Sequence, residues 1–324
     1  MKYATRTRAG GVTNNAANVL VEALPWIKNI TGKTVVIKYG GSAMVDEKLR
    51  ADVMNDIVLL KIVGVNPVIV HGGGKEITEA MEAHNLPVEF KNGQRVTRPE
   101  AMDLVREVLV GKVNQSLVGA LNEHGNFAVG ISGADAGTIM AEPVSEELGR
   151  VGRVTRVNDS LMSDLISSDY IPVIASIALG EDGGFYNINA DMVAGHIAAA
   201  IGAHKVVFLT DVDGLYENFE DKDTLISNMT LFEAQYLIEN HVVSTGMIPK
   251  LQSCVHALEA GVFRAHIING TTPHSLLLEL LTSTGVGTTL HSTEEACKFD
   301  THPLGNFASK LSENSTGGAL EIEE

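Results

Sequence analysis

Short runs of β-branched and aliphatic residues alternate along this chain with longer segments whose apolar residues recur every three or four positions. The run 34–38 predicts a buried strand bounded by glycines. The segment after it predicts an amphipathic helix, whose apolar face comprises Leu49, Val53, Ile57 and Leu60. Residues 67–70 and 75–84 repeat the pattern as a strand and a helix. Because consecutive parallel strands need a long crossover connection, this βαβ unit predicts a parallel sheet covered by helices.

The same alternation continues to about residue 290 and predicts the fold class. Further strands are predicted at 127–132, 151–157, 171–177, 205–211 and 264–268. Further helices are predicted at 191–201, 248–261 and 273–281, and Thr230 with Glu233 predicts the start of another. The whole pattern predicts a doubly wound α/β fold: a mainly parallel central sheet with helices on both faces, in two lobes, preceded by an extra N-terminal helix.

The predicted organisation has four parts. Residues 1–32 form an N-terminal helical extension, 33–202 a first lobe and 203–290 a second lobe. The remainder, 291–324, is polar and acidic without periodicity, a composition that predicts disorder.

Two local signals fall in the first lobe. Asn92-Gly93 lies between "VEF" and "QRVT", which predicts a β-hairpin. Thr97 and Glu100 bracket Pro99, which predicts a capping box at a helix start.

Charge and cysteine content narrow the functional class. The net charge of −16 argues against nucleic acid or an anionic membrane as the main partner, although local lysines can still bind an anionic small molecule. The two cysteines, Cys254 and Cys297, lack zinc-type spacing and indicate a reducing compartment. No apolar stretch approaches the roughly 18 residues of a membrane span. We therefore expect a cytoplasmic protein; the basic residues Lys2, Arg6 and Arg8 leave an organelle transit peptide as the alternative.

Glycine clusters follow the first two predicted strands, in "VVIKYGGSAM" and "VIVHGGGKEI". Glycine lets backbone amides approach a ligand closely, and a following helix N-terminus adds partial positive charge, so such corners bind anions. Neither cluster fits the dinucleotide fingerprint or the P-loop, since Gly74-Lys75 is followed by Glu76. A single corner of this kind is better explained by a turn. Two corners, each with a lysine nearby, favour a phosphate-type site.

Six motifs occur in a fixed order: "IKYGGSAM", "VIVHGGGKEI", "KNGQRVT", "NINAD", "LTDVDGLY" and "STGMIPK". Together they resemble the amino acid kinase family, over about residues 17–290, and within it the branch that phosphorylates N-acetyl-L-glutamate. The resemblance implies transfer of the γ-phosphoryl group of ATP to a side-chain carboxylate, an early step of arginine biosynthesis. It also implies that Mg²⁺ arrives on the nucleotide with no metal ligand from the protein, although Asp211 and Asp213 invite a metal site as the alternative.

The resemblance implies three catalytic residues. Lys38 and Lys250 would neutralise the phosphates from two sides, and Asp191 would hold both lysines. A carboxylate acceptor, with a pKa of about 4, is already ionised and needs no general base, whereas its approach to a polyanion needs fixed cations. The alternatives are a solvated surface residue for either lysine and a helix N-cap for Asp191.

The substrate and the nucleotide are assigned to different lobes by the same resemblance. The first lobe would bind the amino-acid substrate through Gly73, Gly74, Asn187 and Arg95, the last of which would pair with the α-carboxylate. A cross-strand charge in the hairpin is the alternative for Arg95, and packing of the corner is the expected role of His71. The expected ATP-binding residues are Gly40, Gly41, Thr210, Asp211, Val212, Asp213, Gly214, Leu215, Tyr216, Val242, Val243 and Ser244.

A possible control site follows from similarity to the arginine-inhibited, hexameric branch of the family. Residues 14–33 predict an amphipathic helix whose shared face is Leu20, Ala23, Leu24 and Ile27. In that branch such a helix interlaces dimers into a trimer of dimers; packing on its own domain is the alternative. The residues expected to flank an L-arginine effector are Lys205, His266, Glu279 and Gly285.

Three other functions compete with this interpretation. A kinase for another carboxylate or for carbamate is disfavoured by Arg95 and "NINAD". A non-catalytic arginine sensor or scaffold would not need both Lys38 and Lys250. A nicotinamide-dependent oxidoreductase is disfavoured by the missing fingerprint.

Overall fold

The structure, a computed structural model, describes residues 12–292 except 45, 92 and 284, and the side chains of 12–17 are not described. The basic residues near the N-terminus and all but two residues of the predicted acidic tail therefore lie outside the described residues.

Helices and strands alternate through the described chain. The helices are α1 Val12–Ile30, α2 Glu47–Ile62, α3 Gly74–Ala83, α4 Pro99–Arg106, α5 Gln115–Asn122, α6 Ser160–Ser167, α7 Ala190–Ala200, α8 Leu231–Glu239, α9 Ile248–Glu259 and α10 Ser275–Leu281. The strands are β1 Thr34–Tyr39, β2 Asn66–His71, β3 Phe90–Lys91, β4 Gln94–Arg95, β5 Ala128–Ser132, β6 Ile139–Pro143, β7 Gly152–Val157, β8 Ile171–Ala175, β9 Ile177–Gly180, β10 Phe185–Asn187, β11 Lys205–Thr210, β12 Asn228–Thr230, β13 Arg264–Asn269 and β14 Thr288–His291. A π-helical turn, Glu107–Asn114, joins α4 to α5.

An eight-stranded sheet forms the centre, in the order β12-β14-β13-β11-β1-β2-β8-β5. Its pairs are parallel except β13 with β14. Alternate residues of β1 point to opposite faces: Ile37 packs with α2 residues such as Ile57, and Val36 packs with α7 residues such as Val193. The predicted doubly wound α/β fold is confirmed.

A smaller sheet, in the order β10-β9-β6-β7, packs beside the central one and was not predicted. The prediction of one strand over 171–177 is wrong, because the chain leaves the central sheet at Ser176 and continues as β9 in the smaller sheet. Both segments are almost wholly buried, so their hydrophobic pattern runs on without a break.

One predicted cap is confirmed and one is wrong. Thr230 and Glu233 form a reciprocal capping box at the start of α8. At the start of α4 the N-cap is Arg98, which makes no side-chain cap. Thr97 lies one residue earlier and is fully buried, and its hydroxyl accepts instead from the amide of Asn187, at 3.2 Å.

The predicted N-terminal helix is present as α1, but its apolar residues divide between two environments. Trp26 and Ile27 pack against the core beneath the central sheet. Leu20 and Leu24, predicted on the same face as Ile27, are 69% and 61% exposed. Among the described helices, none is both long and apolar enough to cross a membrane.

Candidate active site

The candidate site lies where the parallel strands β1, β2, β8 and β11 end. In an open α/β sheet, ligands bind outside the carboxyl ends of the strands, at the point where the strand order reverses. That point here is β1, since β2 pairs with one of its edges and β11 with the other. Lys38 is the penultimate residue of β1, and Gly72 to Gly74 follow β2 directly.

Two cavities meet at this edge. The first, about 520 Å³, extends towards the small sheet and the β3–β4 hairpin. The second, about 670 Å³, extends over the loop 40–44 towards Asp211. Lys38 and the glycines 72–74 line both of them. A group bound at the junction would therefore be reached from either side.

Lys38, which lines both cavities, and Lys250, which lines neither, converge on the carboxylate of Asp191 in the wall of the first cavity. Each Nζ lies 3.0 Å from Asp191, Lys38 at Oδ1 and Lys250 at Oδ2. The Asp191 side chain is 7% exposed, whereas the two lysine side chains are 12% and 16% exposed. The structure therefore places two partly accessible cations beside a nearly buried anion, which differs from two solvated surface lysines.

Electrostatics keep this carboxylate ionised. Burial alone would raise the pKa of Asp191, but the ammonium groups of Lys38 and Lys250 outweigh it and hold the pKa below its usual value. Asp191 also stands in the first turn of α7, where the helix dipole favours negative charge. It is not the N-cap, however. Asn189 is, and its Oδ1 accepts from the amides of Asp191 and Met192.

Arg95 lines the first cavity without a charged partner. Its guanidinium donates to the carbonyl of Gly74 at 2.7 Å and to the hydroxyl of Thr78 at 2.5 Å, and it covers the ring of Phe90, its cross-strand neighbour. The residue is 8% exposed, and burial lowers its pKa. Within the described residues it forms no ion pair. Its contact with Phe90 is the cross-strand position given as the alternative, so both interpretations of Arg95 are compatible with the hairpin. A buried cation on a cavity wall suits an anionic ligand.

Asn187 and the glycine corner complete the wall of this cavity. Asn187 ends β10, and its amide donates to the hydroxyl of Thr97, so its orientation is fixed. Gly73 lies against the π-helical turn, where a Cβ would come within 2.8 Å of Leu109 and 3.1 Å of Val113. Glycine at this position therefore lets the backbone lie between the turn and the two cavities.

The second cavity is shaped by the first glycine corner and by Asp211. Gly41 has a φ of +73°, and a Cβ on it would lie 2.6 Å from Asp211 Oδ1. The same oxygen accepts from the amide of Ser42, at 2.7 Å. A Cβ on Gly40 would lie 2.7 Å from the Nζ of Lys38. Gly41 is therefore required by its positive φ and by the close approach of Asp211, whereas a side chain at position 40 would displace the ammonium group of Lys38.

The other predicted nucleotide-contacting residues lie farther along the second lobe. Asp213 accepts from the hydroxyl of Tyr216, at 2.6 Å, and from the amide of Asn269, at 2.9 Å, which fixes the loop after β11. The hydrogen bond from Tyr216, and then that from Asn269, lower the pKa of Asp213. Neither residues 212–216 nor residues 242–244 line the two cavities. Their role in nucleotide binding stays a prediction.

The four residues predicted to flank an effector gather around Glu279, away from both cavities. Its carboxylate accepts from His266 Nδ1 at 2.7 Å, from the amide of Val286 at 2.7 Å and from the hydroxyl of Thr289 at 3.0 Å. Burial would raise its pKa, but the His266 bond and these donors outweigh it and lower the pKa to about 2. The pKa of Lys205 is lowered to about 8, by burial and then by Arg264.

Gly285 is held against the same carboxylate, since a Cβ on it would lie 2.8 Å from Glu279 Oε2. The oxygens of Glu279 are thus already occupied in this conformation, and a guanidinium could pair with them only after some of these donors are displaced. The buried His266 Nε2, in contrast, has no hydrogen-bond partner among the described residues.

In the described part of the chain, no three His, Cys, Asp or Glu side chains cluster in a way that could hold a metal ion. Asp211 and Asp213 are each engaged in the protein hydrogen bonds given above.

Sequence reasoning missed two residues that shape the site. Asn189 is the N-cap of α7, a role that was not predicted for it. An Asn just before a helical segment is a capping signal that could have indicated it. The bond between Asp211 and the Ser42 amide joins positions 169 residues apart, and no local signal could have revealed it.

Comparison with known proteins agrees with this geometry. The profile described as "Amino acid kinase family" matches residues 33–269. Acetylglutamate kinase of Caldanaerobacter subterraneus subsp. tengcongensis is 52% identical over 274 residues, 84% of this chain and 92% of the relative. Acetylglutamate kinase of Corynebacterium glutamicum is 49% identical over 279 residues, 84% of this chain and 87% of the relative.

Among solved structures, N-acetylglutamate synthase from Neisseria gonorrhoeae, complexed with coenzyme A and N-acetyl-glutamate, shares the fold. Its TM-score is 0.75 at 23% identity, covering 95% of this chain and 71% of that one.

Proposed function

Because the chain belongs to the amino acid kinase family and is a kinase, we propose that it transfers the γ-phosphoryl group of ATP to the side-chain carboxylate of N-acetyl-L-glutamate. The products are N-acetyl-L-glutamyl 5-phosphate and ADP, and the reaction is an early step of arginine biosynthesis. The observation that carries the proposal is the pair of ammonium groups, each 3.0 Å from Asp191, which lines the first cavity. Lys38 lines both cavities, and Lys250 follows Pro249, which lines the first.

The chemistry needs charge neutralisation more than proton transfer. The acceptor carboxylate is ionised at neutral pH, so no general base is required. Its approach to the γ-phosphate brings two anions together, and the transferring group carries negative charge on its equatorial oxygens. Lys38 and Lys250 would neutralise that charge, and Asp191 keeps both lysines fixed so that little reorganisation accompanies the reaction.

The two cavities suit two ligands that react at their junction. In this proposal the acetylglutamate occupies the first cavity, with its α-carboxylate on Arg95 and Asn187 and its reacting carboxylate near Gly73 and Gly74. The ATP phosphates lie in the second cavity, over the amides of Gly40 and Gly41. Mg²⁺ would come bound to the nucleotide, where it supplies further neutralisation of the phosphate oxygens.

The proposed division into lobes is consistent with this placement. Residues 33–202 supply most of the first cavity and would bind the amino-acid substrate, whereas residues 203–290 would bind the rest of the nucleotide through 210–216 and 242–244. Residues 1–32 would be an extension outside both lobes.

A coupled assay of ADP release tests the proposed function directly. N-Acetyl-L-glutamate, glutamate, aspartate and carbamate are compared side by side with ATP and Mg²⁺. We expect turnover with acetylglutamate to exceed that with each other acceptor by at least about tenfold, because an unmade contact to a buried polar group is costly. Preference for carbamate would favour the competing kinase, and no turnover with any acceptor would favour a non-catalytic sensor.

Replacement of Arg95 by alanine is expected to raise the KM for acetylglutamate by about 10- to 100-fold and to change kcat less, because a charge-assisted bond contributes about 1.5–3 kcal/mol. Arg98→Ala is the matched control, since Arg98 pairs with Glu89 at the exposed surface. An unaltered KM in Arg95→Ala would remove Arg95 from the substrate site.

Inhibition by L-arginine is a finer part of the proposal. It is supported by the gathering of Lys205, Glu279 and His266, whose Nε2 is unpartnered among the described residues. We expect added L-arginine at millimolar concentration to slow ADP release at several acetylglutamate concentrations. L-Citrulline, which has the same length but no charge on its side chain, should slow it much less. An unchanged rate with L-arginine would contradict the effector site.

Assembly into a trimer of dimers is a second finer part. It is supported by the exposed apolar residues of α1, namely Val19, Leu20, Val21 and Leu24, which a single chain leaves uncovered. Sedimentation of the full chain, compared with a Leu20→Glu, Leu24→Glu double variant, distinguishes a hexamer held by α1 from a dimer.

A further inference from the structure

Two buried polar side chains lie directly beneath the glycine corner that follows β2. His71, the last residue of β2, and Asn114, the last residue of the π-helical turn, are 0% and 1% exposed. The imidazole Nδ1 is 2.9 Å from the carbonyl oxygen of Gly72, and Nε2 is 3.0 Å from Nδ2 of Asn114. This chain of bonds links the π-helical turn to the peptide that lines both cavities.

The direction of each bond is fixed by its neighbours. The Asn114 amide also donates to the carbonyl of Val173, at 2.8 Å, and approaches that of Ile131, at 3.4 Å. The reversed amide would place its oxygen against the Val173 carbonyl, so Nδ2 must be the donor. Nε2 of His71 is then the acceptor, and the imidazole proton lies on Nδ1, from which it is donated to Gly72. Burial lowers the pKa of His71 to about 4, so the neutral ring persists at physiological pH.

This bond determines which way the next amide points. The C=O of Gly72 and the N–H of Gly73 belong to one planar trans peptide and point in opposite directions. Because the carbonyl is held on the side of His71, the Gly73 N–H is directed away from it. Gly73 is the N-cap of α3, and N-terminal amides of a helix lack intrahelical acceptors. The Gly73 amide is thus available at the junction of the cavities.

We propose that His71 and Asn114 are positioning residues that hold the Gly72–Gly73 peptide with its N–H directed at the transferring phosphoryl group. The inference rests on the proposed function and extends it from the glycines to the side chains that orient them. Both residues are buried and neither lines either of the two cavities, so they act on the site through the peptide that they hold.

Glycines around this pair are required by the same arrangement. A Cβ on Gly130 would come within 2.0 Å of Asn114 Oδ1, so β5 can pass beside the Asn114 side chain only with glycine there. Leu109 and Val113, in the same π-helical turn as Asn114, contact Gly73 from above. π-Helical turns are frequent at functional sites, and this one supplies both the side chains beside Gly73 and the amide that bonds His71.

Two substitutions of His71 separate orientation from packing. An asparagine amide reaches about as far as Nδ1, so His71→Asn can still donate to Gly72 but leaves Asn114 without its ring acceptor. A glutamine amide reaches about as far as Nε2, so His71→Gln keeps a partner for Asn114 but loses the donor to Gly72. We expect His71→Gln to lower kcat by about tenfold or more with little change in either KM, and His71→Asn to stay within about threefold of the native kcat.

Thermal stability separates the proposed role from a purely structural one, in which kcat and Tm would fall in the same order. His71→Gln fills more of the buried site and keeps the Asn114 bond, so we expect its Tm to equal or exceed that of His71→Asn, the reverse of the order in kcat. His84→Gln is the matched control, because His84 makes the same type of Nδ1 bond, to Ala80 at 2.8 Å, at the exposed end of α3. It should leave kcat and both KM values unchanged.

Crystal structures of the two His71 variants would show the orientation of the Gly72–Gly73 peptide independently of activity. The Gly72–Gly73 peptide should be unchanged in His71→Asn and rotated in His71→Gln. The proposal is overturned if the peptide has one orientation in both, or if kcat and Tm fall together in the same order. Failure of the proposed function would give a different result: the native protein would phosphorylate none of the acceptors, whatever the peptide orientation.

Discussion

Replacement of Lys250 by alanine is expected to lower kcat by about 100- to 1,000-fold, while the KM for acetylglutamate changes by only about threefold. The reason is geometric. Lys250 Nζ lies 3.0 Å from Asp191, in the first turn of α9, where the helix N-terminus adds its own partial positive charge. A cation at this place acts on charge that develops during transfer, so the loss falls on turnover more than on binding.

The measurement is steady-state ADP release with each substrate varied in turn. Lys112→Ala is the control, since Lys112 is an exposed lysine of the π-helical turn and is not one of the two lysines paired with Asp191. If Lys250→Ala keeps near-native turnover, Lys250 has no part in the reaction and the two-lysine scheme fails.

Asp191→Asn is expected to lower kcat by at least about 100-fold, although the side chain keeps its shape. Asp191 is the shared counter-charge of two ammonium groups in a nearly buried position. Removal of one member of a buried ion cluster costs about 3–5 kcal/mol, because the remaining charges lose their partner. Lys38 and Lys250 would then repel each other and separate from the junction of the cavities.

Thermal unfolding must accompany this experiment, since the same loss should lower Tm. ATP binding measured by calorimetry shows whether the folded variant still holds nucleotide. The double variant Asp191→Asn, Lys250→Ala relieves the repulsion, so its kcat should be far above the product of the two single effects. Strict additivity of the two losses, or turnover within about threefold of native for Asp191→Asn, would contradict the role of Asp191 as the shared anchor.

Much of the central sheet could be predicted because its strands are buried on both faces and its helices are amphipathic. The runs that became β1, β2 and β11 are rich in β-branched residues, and a glycine directly follows β1, β2 and β13. In the smaller sheet, β7 falls on the strand predicted at 151–157, whereas β9 and β10, of only four and three residues, were missed. Such short segments carry too few positions for a period of two to be recognised.

The motifs predicted which residues form the candidate site, but not the hydrogen bonds and ion pairs among those residues. The sequence order of "IKYGGSAM", "NINAD" and "STGMIPK" indicates which residues belong together, but only the fold shows that Lys38 and Lys250 share one carboxylate. The wrong prediction of a capping box at Thr97 shows that a correct local pattern can be overridden by tertiary contacts. Thr97 is buried, and its hydroxyl accepts a hydrogen bond from the distant Asn187 instead of capping α4.

The strand that carries Lys38 is bonded along both edges, to residues from each of the two predicted lobes. The chain passes from α7 to β11 through only residues 201–204, so no flexible strap separates the halves. If the proposed reaction requires the two proposed lobes to move apart for product release, that motion has to twist the continuous ladder formed by β2, β1 and β11. Mutations that stiffen the pairing of β1 with β11 are then expected to slow product release more than the chemical step.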